Sequence, residues 1–196
     1  VLGKPMKVTY DGSVSVGFRT GQIDVLKTDE LIEQVITRYP EPSVQASRLG
    51  YFDTDWQDEV YQTSVSHDHN LSLSGSVSTL PYRASIGYTD QTGLLKTSGL
   101  QRVTGSINLN PSFFDKHLTL TVNAKAMNIH NRFADWGAVG AAVAFDPTQP
   151  VYDDAGIFNN YFYWKEPSGA PTSNATANPV SLLQDRFDKS VVNRIL

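Results

Sequence analysis

The chain has 196 residues, of which 40% are hydrophobic, 18% charged and 11% aromatic; it has no cysteine and a formal net charge of −4. These values exclude disulfides and thiolate metal sites, and an acidic chain without a clustered basic face excludes nucleic acid as a partner. No apolar run reaches the roughly 18 to 20 residues of a membrane-spanning helix, but a membrane β-barrel stays open because its strands alternate apolar and polar residues.

In chain order, residues 1–7 carry neither an apolar signal core nor a cleavage site, as expected of a mature chain or an internal piece. Alternation of period two begins at Val8, Tyr10, Val14, Val16 and Phe18, with Thr9, Ser13 and Ser15 on the other parity. This predicts a first strand within 1–20. Thr28 is placed to cap a helix, with Asp29 and Glu30 suited to the positive end of its dipole. Leu31, Ile32, Val35, Ile36 and Tyr39 would share one face of that helix. Pro40 and Pro42 would end it, and the rest of 21–66 reads as an ordered, acidic and aromatic loop.

Meander strands are expected over 67–128. Leu71, Leu73, Gly75 and Val77 alternate with serines, and Tyr82, Ala84, Ile86 and Tyr88 with Arg83, Ser85 and Thr89; a tight turn is expected at 79–81. Val103, Gly105, Ile107 and Leu109 form a fourth set. Leu118, Leu120, Val122, Ala124 and Ala126 form a fifth, joined to the fourth through a turn at 110–116. Strands near ten residues fit transmembrane hairpins better than soluble sandwiches, whose strands average about five or six.

Residues 129–190 read as a long loop with short helices. Ala138 to Ala144 is a small-residue run ended by Asp146 and Pro147, and Pro179 would open a second short helix. Over thirty residues without periodicity point to function rather than connection. Residues 191–196 would start a further strand. The whole, 1–196, is read as a fragment of one β-barrel domain: all-β, an antiparallel meander of transmembrane-barrel type, a partial barrel with short helices in long loops.

Specific phrases then carry a resemblance. Thr54-Asp55-Trp56-Gln57-Asp58-Glu59, His69-Asn70-Leu71-Ser72-Leu73-Ser74-Gly75 and Ser85-Ile86-Gly87-Tyr88-Thr89-Asp90-Gln91-Thr92-Gly93-Leu94-Leu95-Lys96 resemble phrases of the SusC/RagA class of TonB-dependent outer-membrane transporters. Residues 102–109, 147–153 and Asn178-Pro179-Val180 continue the pattern in order. The short turn at 79–82 departs from it, and 152–178 has no matching wording. The resemblance implies the N-terminal part of a barrel of about twenty-two strands, a size whose lumen holds a plug; that plug is missing from this chain. It also implies residence in the bacterial outer membrane, in contact with its lipid, a SusD-like surface lipoprotein partner, TonB acting through the plug, and import of oligosaccharide or peptide.

Candidate chemistry is sparse. His67 and His69 would point the same way on a strand, as a metal pair would, but no third ligand stands nearby. Asp53, Asp55, Asp58 and Glu59 could be paired carboxylates of a glycosidase or an acidic loop anchoring Trp56. Asp153, Asp154 and Gly156 suit calcium or a turn. Asn174-Ala175-Thr176 matches a glycosylation pattern that a bacterial chain would not use. Tyr152, Tyr161, Tyr163 and Trp164, with Phe158 and Phe162, could stack on a ligand or form an interfacial girdle; the first four are the candidate ligand-binding residues. No catalytic arrangement and no cofactor motif emerges, so an enzyme is not expected. The alternative reading is a soluble secreted β-sandwich that binds glycans.

Overall fold

The structure, a computed structural model, describes residues 5–78, 80–115, 117–154, 158–166, 168–173 and 175–196. The chain divides into two compact units: one comprises Val1–Phe18, Thr63–Phe133 and Asp188–Leu196, the other Arg19–Gln62 and Ala134–Phe187.

The first unit is an antiparallel sheet. Its strands are β1 (Lys7–Gly17), β2 (Ser64–Val77), β3 (Leu80–Thr92), β4 (Gly99–Leu109), β7 (Val122–Phe133) and β8 (Asp188–Ile195), in the spatial order β1-β2-β3-β4-β7-β8. Between β4 and β7 a two-stranded ribbon pairs β5 (Ser112–Phe113) with β6 (Leu118–Thr119). The sheet does not close: β1 and β8 each have one neighbour among the described residues.

Register carries each apolar parity from strand to strand. Tyr10 pairs with Leu71, Leu71 with Ile86, Ile86 with Gly105, Gly105 with Ala126, and Ala126 with Ile195. One residue along, Thr9, Ser72, Ser85, Ser106 and Lys125 form the matching polar row. A period of two sends neighbouring side chains to opposite faces, so the sheet has one apolar face and one polar face. Burial is inverted relative to a soluble protein: Leu71 is 46% exposed and Ile86 57%, whereas Ser72 is 8% and Thr89 4% exposed. On the polar face Thr89 donates a short hydrogen bond to Asp68 and accepts one from Arg102, and the hydroxyls of Ser85 and Ser106 pair at 2.8 Å.

Several strand boundaries differ from expectation: β2 begins at Ser64 rather than at 67, and β8 at Asp188 rather than at 191, each extended by its ladder partner, Gly17 and Phe133 respectively. Leu118 and Thr119 belong to the ribbon rather than to the fifth long strand, which begins at Val122 and continues past Ile129 to Phe133. The alternation at 118–121 has the same period in either pairing, so only the partner decides. Pro81 lies within β3 opposite Ser76, leaving the two-residue turn 78–79, of which Thr79 is outside the described residues. Ser78 has φ +50, the sense required by hairpin turns that match strand twist. Lys116, in the expected 110–116 turn, is also outside them.

The second unit holds α1 (Thr28–Arg38), a 3₁₀ turn (Ala46–Arg48), α2 (Trp56–Val60), α3 (Gly137–Ala144) and α4 (Pro179–Asp185). Thr28 is not the cap of α1. The cap is Lys27, whose amide donates to Glu30 at 3.0 Å, while the Thr28 hydroxyl donates to Asp53 at 2.7 Å. On the expected apolar face Leu31, Ile32 and Val35 are half-buried, and Ile36 and Tyr39 are exposed. Ala138, Ala141 and Ala142 of α3 are buried, as are Val180 and Leu183 of α4. Small side chains on α3 allow close approach of neighbouring backbone, which suits a core built from short elements.

Candidate functional site

The second unit gathers most of the residues singled out in the sequence. Asp55 caps α2, accepting from the amides of Gln57 and Asp58, and also accepts from the Gln22 side chain at 2.8 Å. The Trp56 indole donates to the Asp146 carbonyl at 2.9 Å, and its ring meets Phe145 edge-on at 4.5 Å. The Thr54 hydroxyl donates to the Gln149 carbonyl at 2.7 Å, and the Gly50 amide donates to the Thr148 hydroxyl at 2.8 Å. Asn178 caps α4 through its Oδ1 and donates from Nδ2 to the carbonyls of Val151 and Phe162. The phrases 54–59, 147–153 and 178–180, distant in sequence, thus interlock as mutual hydrogen-bond partners of buried groups, which a low-dielectric interior requires.

The acidic side chains are drawn into this framework. Asp53 accepts from Thr28, Asp55 caps a helix, and Asp58 pairs with Arg19 at 2.5 Å. These partners support the loop-anchoring reading over a catalytic carboxylate pair. His67 and His69, in the first unit, lie on one face with rings 5.2 Å apart, and His69 Nδ1 is hydrogen-bonded to the Tyr10 hydroxyl at 2.6 Å. No group of three metal-ligating side chains occurs among the described residues. Asp153 pairs with Lys165 at 2.6 Å. Gly156, Asn174 and the Phe158 side chain lie outside the described residues.

The four candidate aromatics occupy three settings. Tyr152 and Tyr161 face one another across an isolated antiparallel bridge, with ring centroids 5.3 Å apart. Tyr152 is 59% exposed and Tyr161 is 9% exposed. Burial, followed by the proximity of Tyr152 and Asp185, raises the pKa of the Tyr161 phenol. Tyr163 lies under the Lys165 ammonium, 5.0 Å from ring centroid to nitrogen. Trp164 packs with Phe145 and Phe162, at 6.2 and 5.4 Å between centroids. Alternation along 161–164 explains the split, because neighbouring residues in an extended segment point oppositely.

Two concavities border these residues. A cleft of about 1440 Å³ runs between the segment 22–27, α1 and the Phe145–Trp164 cluster. A second, of about 560 Å³, sets the rings of Phe52 and Tyr152 beside Asp53, Asp55, Asp58 and Glu59. Aromatic faces with nearby acceptors can hold a ligand rich in hydroxyls or amides. Leu49 and Phe52, which also line these cavities, stand in no periodic pattern and so leave no signal in the sequence.

An antiparallel sheet with an exposed apolar face, and with long connections carrying folded loops, is a sheet of transmembrane-barrel type. No profile of a known protein family matches the chain. Over 204 residues the chain is 40% identical to the TonB-dependent receptor SusC of Bacteroides thetaiotaomicron, a match covering 97% of this chain and 20% of that protein. It is 31% identical over 129 residues to a TonB-dependent receptor of Formosa agariphila, covering 65% of this chain and 12% of that one. Among solved structures it is similar to the RagAB peptide importer. The closed-closed state gives a TM-score of 0.58 at 17% identity, covering 92% of this chain and 24% of that one. The open-open state gives 0.57 at 18% identity, covering 69% and 19%. The chain belongs to the SusC/RagA class of TonB-dependent receptors, and it spans about a fifth of the length of the SusC relative it matches.

Proposed function

We propose that this chain is a segment of a bacterial outer-membrane nutrient importer, energised by TonB and working with a SusD-like surface lipoprotein to take up oligosaccharides or peptides. The observation that carries the reading is the inverted sheet, with Val8, Leu71, Ile86 and Ile107 exposed on one face while Ser72 and Thr89 are buried on the other. Lipid is the solvent that favours such an outer face, and a wet lumen suits the polar one. A soluble sandwich would instead need a second sheet over the apolar face, and among the described residues the other sheet is only the β5–β6 ribbon.

Connection lengths supply an orientation. At one end of the sheet β2 and β3 are joined by 78–79 and β4 and β7 by 110–121; at the other, long connections run over 18–63 and 134–187. Membrane barrels carry short periplasmic turns and longer extracellular loops. The long connections are therefore assigned to the cell surface, where Tyr152, the most exposed of the four candidate rings, would stack on substrate, backed by Tyr161, with Tyr163 and Trp164 completing the aromatic surface. No role as an enzyme is proposed.

The test uses the full-length receptor. It should fractionate with the outer membrane, migrate as a heat-modifiable barrel and support uptake of oligosaccharide or peptide; Tyr152→Ala should lower uptake several-fold without altering heat modifiability. Recovery as a soluble monomer would overturn the membrane reading. Uptake unchanged by the substitution would remove Tyr152 from the ligand site.

A further inference from the structure

The two-stranded ribbon β5–β6 is the end of the β4–β7 hairpin, interrupted at a proline. Leu109 opposes Val122 in the main sheet; beyond Asn110 and Pro111 on one strand and Leu120 and Thr121 on the other, Ser112 opposes Thr119 and Phe113 opposes Leu118. Equal gaps on the two strands preserve both register and parity. The gap falls at Pro111, which has no amide proton to give the ladder; its carbonyl still accepts from the Leu120 amide at 3.0 Å. Phe113, Leu118 and Leu120 therefore continue the row of Val103, Ile107, Leu109 and Val122 on the apolar face.

These side chains are uncovered. Phe113, Leu118 and Leu120 are exposed, and among the described residues the ribbon pairs only with itself. Phe114 at the tip is 77% exposed and has φ +51, a left-handed backbone that suits glycine or asparagine better than a bulky side chain. Asp115 and His117, also exposed, lie beyond it. The hairpin thus runs from apolar pairs to an aromatic and then to polar residues.

The height of the apolar face indicates what covers them. A barrel strand rises about 3.4 Å per residue at a tilt of roughly 40°, and the apolar band of a membrane barrel is about 25 Å tall. On that geometry Val103 to Leu109 climbs only about 16 Å, whereas Val103 to Phe113 climbs about 26 Å. Past Val103, at the end bearing the long connections, the same face turns polar at Gln101, which opposes His130. The missing height therefore lies in the ribbon.

We infer that the β5–β6 ribbon is a membrane-embedded continuation of the barrel wall, with Phe113, Leu118 and Leu120 against acyl chains of the periplasmic leaflet and Phe114 at its phospholipid headgroups. The periplasmic boundary of the membrane then falls at the tip of this hairpin and not at the end of β4. The inference rests on the membrane reading and the orientation proposed above. Lipid is the solvent that favours an exposed apolar row, and aromatic rings gather where hydrocarbon meets headgroups.

The experiment uses the full-length receptor in phosphatidylethanolamine and phosphatidylglycerol vesicles, with a fluorophore on Phe113→Cys, Ile107→Cys or Asp115→Cys in turn and labelled wild type as background. Quenching is compared between lipids carrying a nitroxide at set depths and aqueous iodide. The label at 113 should be quenched several-fold more by shallow lipid nitroxide than by iodide, the label at 107 by deeper nitroxide, and the label at 115 by iodide. Heat modifiability is scored on every sample, and Leu118→Cys, on the opposite strand, repeats the measurement if the label at 113 prevents folding. A label at 113 as open to iodide as the one at 115 would place the ribbon in water and overturn the inference. Protection from both quenchers would overturn it in favour of cover by protein. Failure of lipid to quench the label at 107 sinks the membrane reading itself, while quenching at 107 without quenching at 113 or 118 sinks only the embedded ribbon.

Discussion

Gly50 illustrates how tightly the second unit is built at the level of single residues. A Cβ added there would stand 2.0 Å from the Thr148 carbonyl oxygen, a contact that only backbone displacement relieves. Gly50→Ala should therefore destabilise the unit by about 1–3 kcal/mol, as overpacking does, and hydrogen exchange at residues 50–54 should accelerate. Unchanged protection would show that the loop accommodates the methyl. Lys165 offers a test by pH. Its hydrogen bond to Asp153 raises its pKa above the ordinary 10.5, with desolvation opposing and the charge of Asp153 adding. A raised folded value means that the contribution is fully present below pH 10.5 and is lost as pH rises through the folded value. Asp153→Asn should bring the Lys165 titration, followed by NMR, back towards 10.5; an unshifted curve would remove Asp153 as the cause.

Strand parity is the property that matters at the level of elements. Ile107 and Asn108 are neighbours in β4 on opposite faces, paired with Ala84 and Arg83 respectively on β3. If the exposed face meets lipid, Ile107→Arg in the full-length receptor should cost about 2–4 kcal/mol of folding stability in bilayers, whereas lumen-facing changes are tolerated. Asn108→Arg should be near neutral, and denaturant titration in lipid vesicles compares the two. The reverse order would assign the polar face to the membrane. The parity of β2, β3 and β4 was legible in the sequence because each apolar set alternates without interruption. The ribbon at 112–119 was not, because Leu118 and Leu120 alternate as well as Val122 does and nothing local names their partner. The cap of α1 is not legible for a similar reason: Thr28 is a good capping residue by type, yet its hydroxyl finds Asp53, a residue remote in sequence.

At the scale of the whole molecule, the sheet ends in β1 and β8, each with an unpaired side among the described residues. Rows of free amides and carbonyls at such edges are templates for pairing with other chains. The 196-residue chain produced by itself should consequently associate, whereas the full-length receptor should run as a discrete species. Sedimentation in matched detergent separates the outcomes, and a monodisperse monomer of the isolated chain would show that the edges are protected.

The sequence alone was sufficient for whatever depends on local periodicity and on wording. Alternation identified the strands and their two faces, the small-residue and proline signals located α3 and α4, and the motif phrases pointed to the SusC/RagA class. It could not say that Thr54 would donate to Gln149, Trp56 to Asp146, Gly50 to Thr148, Gln149 to Arg48 and Asn178 to Val151, because those partners are separated by some thirty to a hundred residues. Nor could it separate Tyr152, exposed, from Tyr161, buried beneath it. Hydrogen-bond satisfaction and burial are properties of the packed chain, and only the tertiary structure decided which aromatic rings face solvent and which serve as their support.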